Sequence, residues 1–397
     1  MKNPSGRDYK GGHSVQLLRS GRSYFSACRK AIDEAKHFIH FQTYIVDDDE
    51  TGRSLVRSFV KAAKRGVRVY FLLDAYGGVS FSKELIRQVE EAGILFRQFS
   101  PGLISRDFQF SLRLHHKVLL VDGEQAIIGG MNVADRYHGR AGMKEWLDFA
   151  IHIRGPESLH VLFILKKLWN KAFIPRKEKS RETLHNIVHH PDGLKVRVLQ
   201  NNWYRNKVEI LKSYRYAIRH AQDHMIIFAS YFLPGRSERK LLRNASRRGV
   251  DIKIVLAAES DAAMFKRATN FLYSFILRNN IKIYEYLPSN LHAKVATVDG
   301  TWSTIGSYNL NHLSDYGSIE MNADILDGDF TRMFEEMLVK IINKDCRQVT
   351  VAQYAKHNTW LHRLADWSSY QAIRFLMRIM FILAAKRTKS HTSIKTM

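Results

Sequence analysis

The sequence contains one short chemical motif twice. The first copy comprises His115, Lys117, Asp122, Gly129, Gly130 and Asn132, and the second comprises His292, Lys294, Asp299, Gly306, Ser307 and Asn309. Each position in the first copy recurs 177 residues later. Ordinary strand residues would not share such a spacing, so we interpret the repeat as a duplicated functional site.

The side chains of this motif suit phosphodiester exchange. An imidazole can serve as a nucleophile or as a general acid and base. Ammonium and amide groups can stabilise negative charge on phosphoryl oxygens. Two such sets would supply the groups that the reaction needs, and the scheme requires neither a metal nor another cofactor.

Each copy is predicted to lie on a β-hairpin. Residues 118–121 and 295–298 are rich in strand-forming side chains, and each run ends in an Asp-Gly turn signal. Because side chains alternate along a strand, His115 and Lys117 share one face and His116 points to the other. Ala293 replaces that second histidine in the later copy, so we predict a structural role for His116.

The surrounding elements also repeat. The first half predicts a strand at 38–46, a helix ending near Gly66, a strand at 67–73 and a helix at 82–93. After Asp223 the order returns as a strand at 225–232, a helix at 238–248 and a strand at 250–256. The chain is therefore predicted to be an α/β protein with two duplicated lobes, at 1–175 and 194–345.

Residues 176–193 are predicted to form a basic linker, since they show no apolar period. Three histidines of this segment could suggest a metal site, but no other ligand is spaced with them. The charged and histidine residues concerned are Arg176, Lys177, Lys179, Arg181, His185, His189 and His190.

Composition limits the partners. The 397 residues are 45% hydrophobic and carry a formal charge of +24, which favours nucleic acid or an anionic lipid surface without choosing between them. Cys28 and Cys346 offer neither a disulfide framework nor a zinc site. Residues 1–16 lack the apolar run of a signal peptide or membrane anchor, so we expect a protein that stays in the cytoplasm.

The complete pair of motifs resembles the phospholipase D superfamily. Further landmarks, Trp146, Asp148, Tyr231 and Glu320 among them, resemble those of the shorter bacterial cardiolipin synthases that lack N-terminal transmembrane helices. The resemblance extends from about residue 15 to about residue 344. It implies two mixed sheets flanked by helices, with a single active site at their pseudo-two-fold interface.

The resemblance also implies roles for the motif residues. His115 is expected to attack phosphorus and form a phosphohistidine, and His292 to protonate the leaving alcohol and later act as a base. The phosphate would be held by Lys117, Lys294, Asn132 and Asn309. Asp122 and Asp299 are placed in the catalytic set, although their position at the hairpin turn favours organising the motifs.

A carboxylate is expected to orient at least one histidine. Glu320 is the candidate in the second half. Aligning Asp148 with Asn322 puts Trp146 at the position of Glu320, which leaves either Asp148 or Glu145 as the partner in the first half.

Residues 346–397 are predicted to form an amphipathic tail. Arg374 and Arg378 would lie on one face of a helix among apolar and aromatic side chains, a pattern typical of helices in a membrane interface. A short helix packed on the protein core is the alternative.

The function expected from these features is cardiolipin synthesis from phosphatidylglycerol, or from another phospholipid donor, at the cytoplasmic face of the bacterial inner membrane. The expected partners are anionic phospholipids, namely phosphatidylglycerol and cardiolipin, and not nucleic acid. The alternatives are a hydrolytic phospholipase D or nuclease, and a noncatalytic lipid-binding protein.

Overall fold

The computed structural model describes residues 6–99, 113–170, 179–182, 188–202, 205, 207–357 and 359–393. The strands are β1 (Lys10–Arg19), β2 (Phe38–Thr43), β3 (Arg68–Asp74), β4 (Leu95–Phe99), β5 (Arg113–Leu114), β6 (Lys117–Val121), β7 (Gln125–Gly129), β8 (Phe149–Arg154), β9 (Leu194–Asn202), β10 (Lys207–Val208), β11 (His224–Ala229), β12 (Asp251–Ala257), β13 (Lys282–Tyr286), β14 (Lys294–Val298), β15 (Trp302–Gly306), β16 (Ser318–Leu326) and β17 (Cys346–Val349). The helices are α1 (Ser20–Glu34), α2 (Glu50–Lys64), α3 (Lys83–Glu91), α4 (Asp135–His138), α5 (Glu157–Trp169), α6 (Glu209–His220), α7 (Arg236–Arg247), α8 (Ala263–Arg278), α9 (His312–Tyr316), α10 (Gly328–Asp345), α11 (Val351–His357) and α12 (Trp360–Ser393).

Two sheets repeat the same strand order. The first runs β4-β3-β2-β6-β7-β8-β1, and its β2, β3 and β4 are parallel whereas the other neighbours are antiparallel. The second runs β13-β12-β11-β14-β15-β16-β9 with the same directions, and β17 extends its edge beside β13. This match confirms the predicted duplicated α/β fold.

The two sheets share one hydrophobic core. Their facing sides pack with α5 and α10, as shown by the rings of Phe149 and Phe334, whose centroids lie 5.3 Å apart. Helices α1, α2 and α3 cover the outer side of the first sheet, and α6, α7 and α8 cover that of the second. Burial of a sheet on both faces explains why most residues of its central strands are apolar. Gln42 is one of the buried polar exceptions on β2, and its side-chain amide donates to the carbonyl of Leu165 at 3.0 Å.

The predicted hairpins are confirmed. Strand β6 pairs with β7, and β14 pairs with β15. The turns place Asp122 and Asp299 in left-handed backbone conformations, with φ of 53° and 52°. His115 and His292 lie immediately before these hairpins rather than within them, because the backbone there bonds to the other half of the chain.

The C-terminal helix α12 packs one face on α8. The ring of Tyr370 stacks on that of Phe271 with centroids 4.7 Å apart, and Ile373 is buried beside it. The opposite face remains exposed. The alternative of a helix packed on the protein core is therefore correct for one side of α12. The predicted place of Arg378 in a membrane interface concerns side chains outside the described residues.

No helix among the described residues combines the length and apolarity needed to cross a membrane. Within the predicted linker, residues 176–178 and 183–187 lie outside the described residues, which include Lys179, Arg181, His189 and His190. The proposed divisions at 175, 193 and 345 therefore stay predictions.

Candidate active site

Backbone hydrogen bonds join the first residue of each motif to the opposite half of the chain. The amide of His115 donates to the carbonyl of Ile319 at 3.0 Å, next to the β5–β16 pairing. In the related place, the amide of His292 donates to the carbonyl of Leu147 at 2.8 Å. His115 is therefore fixed beside β16, and His292 beside the segment that leads into β8, so each lies against the opposite half.

Two histidine–carboxylate pairs result, and both cross between the halves. Nδ1 of His115 lies 2.9 Å from Oε1 of Glu320, and Nδ1 of His292 lies 2.6 Å from Oδ2 of Asp148. Both carboxyl groups are fully buried. An ionised carboxylate only accepts hydrogen bonds, so Glu320 places a hydrogen on Nδ1 of His115 and leaves its Nε2 for chemistry. Nδ1 of His292 lies 2.9 Å from Nζ of Lys294 as well, and it carries the hydrogen when Asp148 is ionised.

Strand register corrects the alignment made from sequence. Gly129 pairs with Ala150, and Gly306 pairs with Asn322, so Ala150 and Asn322 are equivalent. Counting back two residues makes Asp148 equivalent to Glu320. The first half carries five more residues between its motif and this strand, so the constant offset of 177 residues no longer holds there. The sequence alignment of Asp148 with Asn322 was therefore wrong by two residues.

The partner left open by the sequence is thus Asp148 in the structure. Glu145 instead accepts a hydrogen bond from the backbone amide of Arg22 at 3.1 Å. Trp146 packs beside the catalytic candidates, with its ring centroid 6.0 Å from that of His292.

The Gly-Gly and Gly-Ser variants of the motif match their carboxylates. A Cβ atom at Gly130 would lie 2.5 Å from Oδ1 of Asp148, so that position has no room for a side chain. In the second copy, the hydroxyl of Ser307 donates to Glu320. The shorter Asp148 side chain is thus accommodated by a glycine, whereas the longer Glu320 side chain accepts a hydrogen bond from a serine.

Two buried lysines lie beside the histidines. Nζ of Lys117 donates to the carbonyl oxygen of His115 at 2.6 Å and lies 5.2 Å from the ring centroid of Tyr44. Lys294 likewise donates to the carbonyl oxygen of His292. Burial lowers the pKa of Lys117 to about 7 and that of Lys294 to about 8, because it removes water from the ammonium groups.

Burial also controls the protonation of the paired groups. It lowers the pKa of His115, although Glu320 opposes this effect, and lowers the pKa of His292 well below its usual value. The same loss of water raises the pKa of Asp148 to about 7. The charges of Lys117 and Lys294 further disfavour a charged His292.

The two motif asparagines are buried with unused hydrogen-bonding capacity. Nδ2 of Asn132 donates to the hydroxyl of Tyr137 at 2.9 Å, while Oδ1 has no partner in the described structure. Turning this amide by 180° lets Tyr137 donate to Oδ1 and frees Nδ2 for an anion. Oδ1 of Asn309 is likewise unpartnered among the described residues.

The motif aspartates lie away from this cluster. Asp122 is five residues beyond Lys117 along an extended strand, a separation of about 17 Å. Its carboxylate accepts hydrogen bonds from the amides of Lys36, His37 and Phe38 at 2.8–2.9 Å. Asp299 accepts from residues 222–224 in the same way. The geometry corrects their inclusion in the catalytic set to a role in organising the motifs.

His116 has the structural environment predicted for it. Its side chain is fully buried, and its Nε2 lies 3.0 Å from Oε1 of Gln42 on β2. Sequence reasoning missed the aromatic rings around the site. The ring centroids of Tyr44 and His115 lie 5.1 Å apart, as do those of Tyr137 and His292.

Within the described part of the chain, no group of three histidine, cysteine, aspartate or glutamate side chains is placed to hold a metal ion. His185, from the histidine set of the predicted linker, lies outside that part.

Comparison with solved structures defines the class of fold. The structure of phosphatidylserine synthase from Haemophilus influenzae matches with a TM-score of 0.74 at 13% identity, covering 96% of this chain and 98% of that one. Polyphosphate kinase from Porphyromonas gingivalis matches with a TM-score of 0.58 at 15% identity, covering 92% and 53%. Such identities show a common fold alone. A PLD-like domain model matches both halves of the chain, and with the duplicated motif it places the protein in the phospholipase D superfamily.

Sequence comparison narrows the class to a family. The family described as cardiolipin synthase, PLD-like domain, matches residues 28–152 and again 214–342. Cardiolipin synthase B of Shigella flexneri is 31% identical over 362 residues, covering 89% of this chain and 86% of that protein. Cardiolipin synthase 1 of Bacillus cereus is 28% identical over 385 residues, covering 92% and 70%. The chain belongs to the cardiolipin synthase family with PLD-like domains.

Proposed function

We propose that the protein synthesises cardiolipin by moving a phosphatidyl group from one phosphatidylglycerol to a hydroxyl of another, with release of glycerol. The crossed pairs His115–Glu320 and His292–Asp148 carry this proposal, because they present two oriented imidazoles to one charged region. The family relationship supports the choice of lipid over other phosphodiesters.

In the first step, Nε2 of His115 attacks the phosphorus of the donor lipid. The bond from phosphorus to the glycerol oxygen breaks, and that oxygen takes a proton from Nε2 of His292. Glu320 stabilises the positive charge that develops on the attacking imidazole. The product of this step is a phosphatidyl-histidine and free glycerol.

In the second step, His292 acts as the base. It removes the proton from a hydroxyl of the second phosphatidylglycerol, whose oxygen bonds to phosphorus as the bond from phosphorus to His115 breaks. Both histidines return to their starting states, so no oxidant or nucleotide is consumed. Lys117, Lys294, Asn132 and Asn309 hold the phosphoryl oxygens throughout.

Substrate charge prepares His292 for its acid role. Burial and the two lysines lower the pKa of His292 and so favour the neutral imidazole in the free enzyme. A phosphodiester between the lysines would offset their positive charge and favour the protonated imidazole beside Asp148. Substrate binding is therefore coupled to proton uptake.

The test is transfer activity on vesicles of phosphatidylglycerol. His115→Ala and His292→Ala should each abolish formation of cardiolipin, whereas Glu320→Gln should leave a folded protein with a rate lower by on the order of 100-fold or more, since the orienting carboxylate is lost. Brief incubation with labelled lipid should label His115, located by mass spectrometry.

Two results would contradict the proposal. One is unchanged transfer in either histidine variant. The other is cleavage of DNA by the wild-type protein without any diphosphatidyl lipid formed from phosphatidylglycerol, which would favour a nuclease.

We further propose that the protein acts as a peripheral protein of the cytoplasmic face of the inner membrane. Trp360, Leu361, Leu364, Trp367 and Phe375 are exposed, and at 100° per residue they lie on one side of α12, opposite the face packed on α8. Trp360 is 71% exposed and Phe375 is 65% exposed. An apolar and aromatic stripe beside arginines is typical of helices that lie in an anionic membrane surface.

A further inference from the structure

A basic cavity separates the start of α7 from α12. Its volume is about 330 Å³, and it lies apart from the histidine–carboxylate pairs. Four arginines line it, together with one carboxylate, that of Glu238. The arginines are Arg215, Arg236, Arg239 and Arg374.

The single carboxylate is already neutralised. Arg215 lies 2.6 Å from Oε1 of Glu238, which is almost fully buried. Arg239 donates to the hydroxyl of Tyr370 at 3.0 Å, and Arg374 donates to the side-chain amide oxygen of Gln371 at 3.3 Å. Within the described residues, Arg236, Arg239 and Arg374 form no ion pair, so the cavity keeps three positive charges.

Part of the remaining wall is apolar. Leu233, Ile373 and Met377 line the cavity beside the arginines. This combination suits a ligand with a phosphate at one end and a hydrocarbon portion at the other, because guanidinium groups bind phosphate through paired hydrogen bonds.

The position of the cavity relates it to the proposed active site. The amide of Leu233 donates to the carbonyl of Leu310 at 3.1 Å, next to the motif residue Asn309. Arg374 precedes the exposed Phe375 on α12. The cavity lies beyond the end of β11 at which Ala229 pairs with the motif residue Lys294. A membrane surface that contacts the exposed stripe of α12 would therefore place its phosphate groups near the cavity.

We propose that this cavity binds the head group of an anionic phospholipid as a docking site separate from the catalytic phosphate site. The inference rests on the proposed action at a membrane surface. The bound lipid is not transferred: its phosphate lies among Arg236, Arg239 and Arg374, and it holds α12 against the membrane.

The experiment measures sedimentation with vesicles in a His115→Ala background, so that no lipid is turned over. The double variant Arg236→Ala/Arg374→Ala is compared with Lys240→Ala/Arg247→Ala, which removes the same charge from exposed positions of α7 outside the cavity. On vesicles containing phosphatidylglycerol, the cavity variant should bind about tenfold more weakly than its parent, and the control should change by about twofold or less. On pure phosphatidylcholine vesicles the two variants should behave alike.

Equal losses in both variants would overturn the proposal, since bulk charge would then explain the binding. An equal loss on phosphatidylcholine would also overturn it. Competition by free glycerol phosphate at millimolar concentration would show that the cavity takes a soluble phosphate instead of a lipid. A separate assay tests the proposed function. It measures cardiolipin formation from detergent-solubilised phosphatidylglycerol by the Arg236→Ala/Arg374→Ala variant with His115 intact, and the rate should equal that of the wild type.

Discussion

Lys117 and Lys294 make phosphate binding depend on pH. Burial lowers the pKa of these lysines to about 7 and about 8, so each is protonated below its own pKa and loses its charge above it. The neutral amines would bind a phosphodiester less well. We therefore predict that kcat/KM for phosphatidylglycerol falls as pH rises through about 7 to 8, since this ratio reports ionisation of the free enzyme.

A pH profile from about 5 to 9 would check this prediction. The Lys117→Arg variant is the matched test, because arginine keeps its charge across the range and should move the decline upward even if its maximal rate is lower. On the acidic side, burial lowers the pKa of His115, so the nucleophile should stay neutral to a lower pH than an ordinary histidine would. A kcat/KM that stays constant to pH 9 would contradict the role given to the lysines.

At the scale of secondary structure, the motif aspartates join the hairpins to neighbouring strands. Asp122 accepts three backbone hydrogen bonds at the start of β2, and Asp299 accepts three at the start of β11. We predict that Asp122→Asn lowers the free energy of unfolding by about 1–3 kcal/mol, because asparagine tolerates the left-handed backbone but loses a charged acceptor. Its kcat per folded molecule should change little.

Urea unfolding and titration of active protein would measure these two effects separately. Asp33→Asn, at an exposed position near the end of α1, is the control and should change neither quantity. A large fall in kcat at unchanged stability would return Asp122 to the catalytic set.

The hairpins and their repeat could be predicted from sequence because their signals are local. Alternation and the Asp-Gly turn specify each hairpin within about ten residues. The equivalence of Asp148 and Glu320 could not be predicted in this way, because the connecting segments differ in length and only strand register aligns them. The free hydrogen-bonding group of the Asn132 amide could likewise not be predicted, because it depends on the position of Tyr137 beside it.

At the scale of the whole molecule, neither half contains a complete histidine–carboxylate pair. His115 depends on Glu320, and His292 depends on Asp148, over separations of 205 and 144 residues. No local pattern indicates contacts of this kind. The core that the two sheets share fixes their relative position, and small shifts between the sheets would change both pairs together.

The opposite faces of α12 allow membrane contact to be tested without unfolding the helix. Deleting everything after residue 358 would uncover Phe271 on α8, so a loss of activity would have two explanations. Substitutions on the exposed side avoid this problem. We predict that Leu364→Ser/Phe375→Ser weakens sedimentation with phosphatidylglycerol vesicles by about tenfold or more, because two apolar side chains no longer enter the interface.

The matched control is Leu326→Ser/Met333→Ser, which changes two exposed apolar residues away from α12. Leu326 is the last residue of β16, and Met333 lies on α10. This control should sediment like the wild type. Transfer by the α12 variant should fall on vesicles and stay unchanged on detergent-solubilised lipid, since the catalytic groups are untouched. Equal sedimentation of the two variants would show that the stripe does not contact the membrane, and the exposed face of α12 would then need another partner.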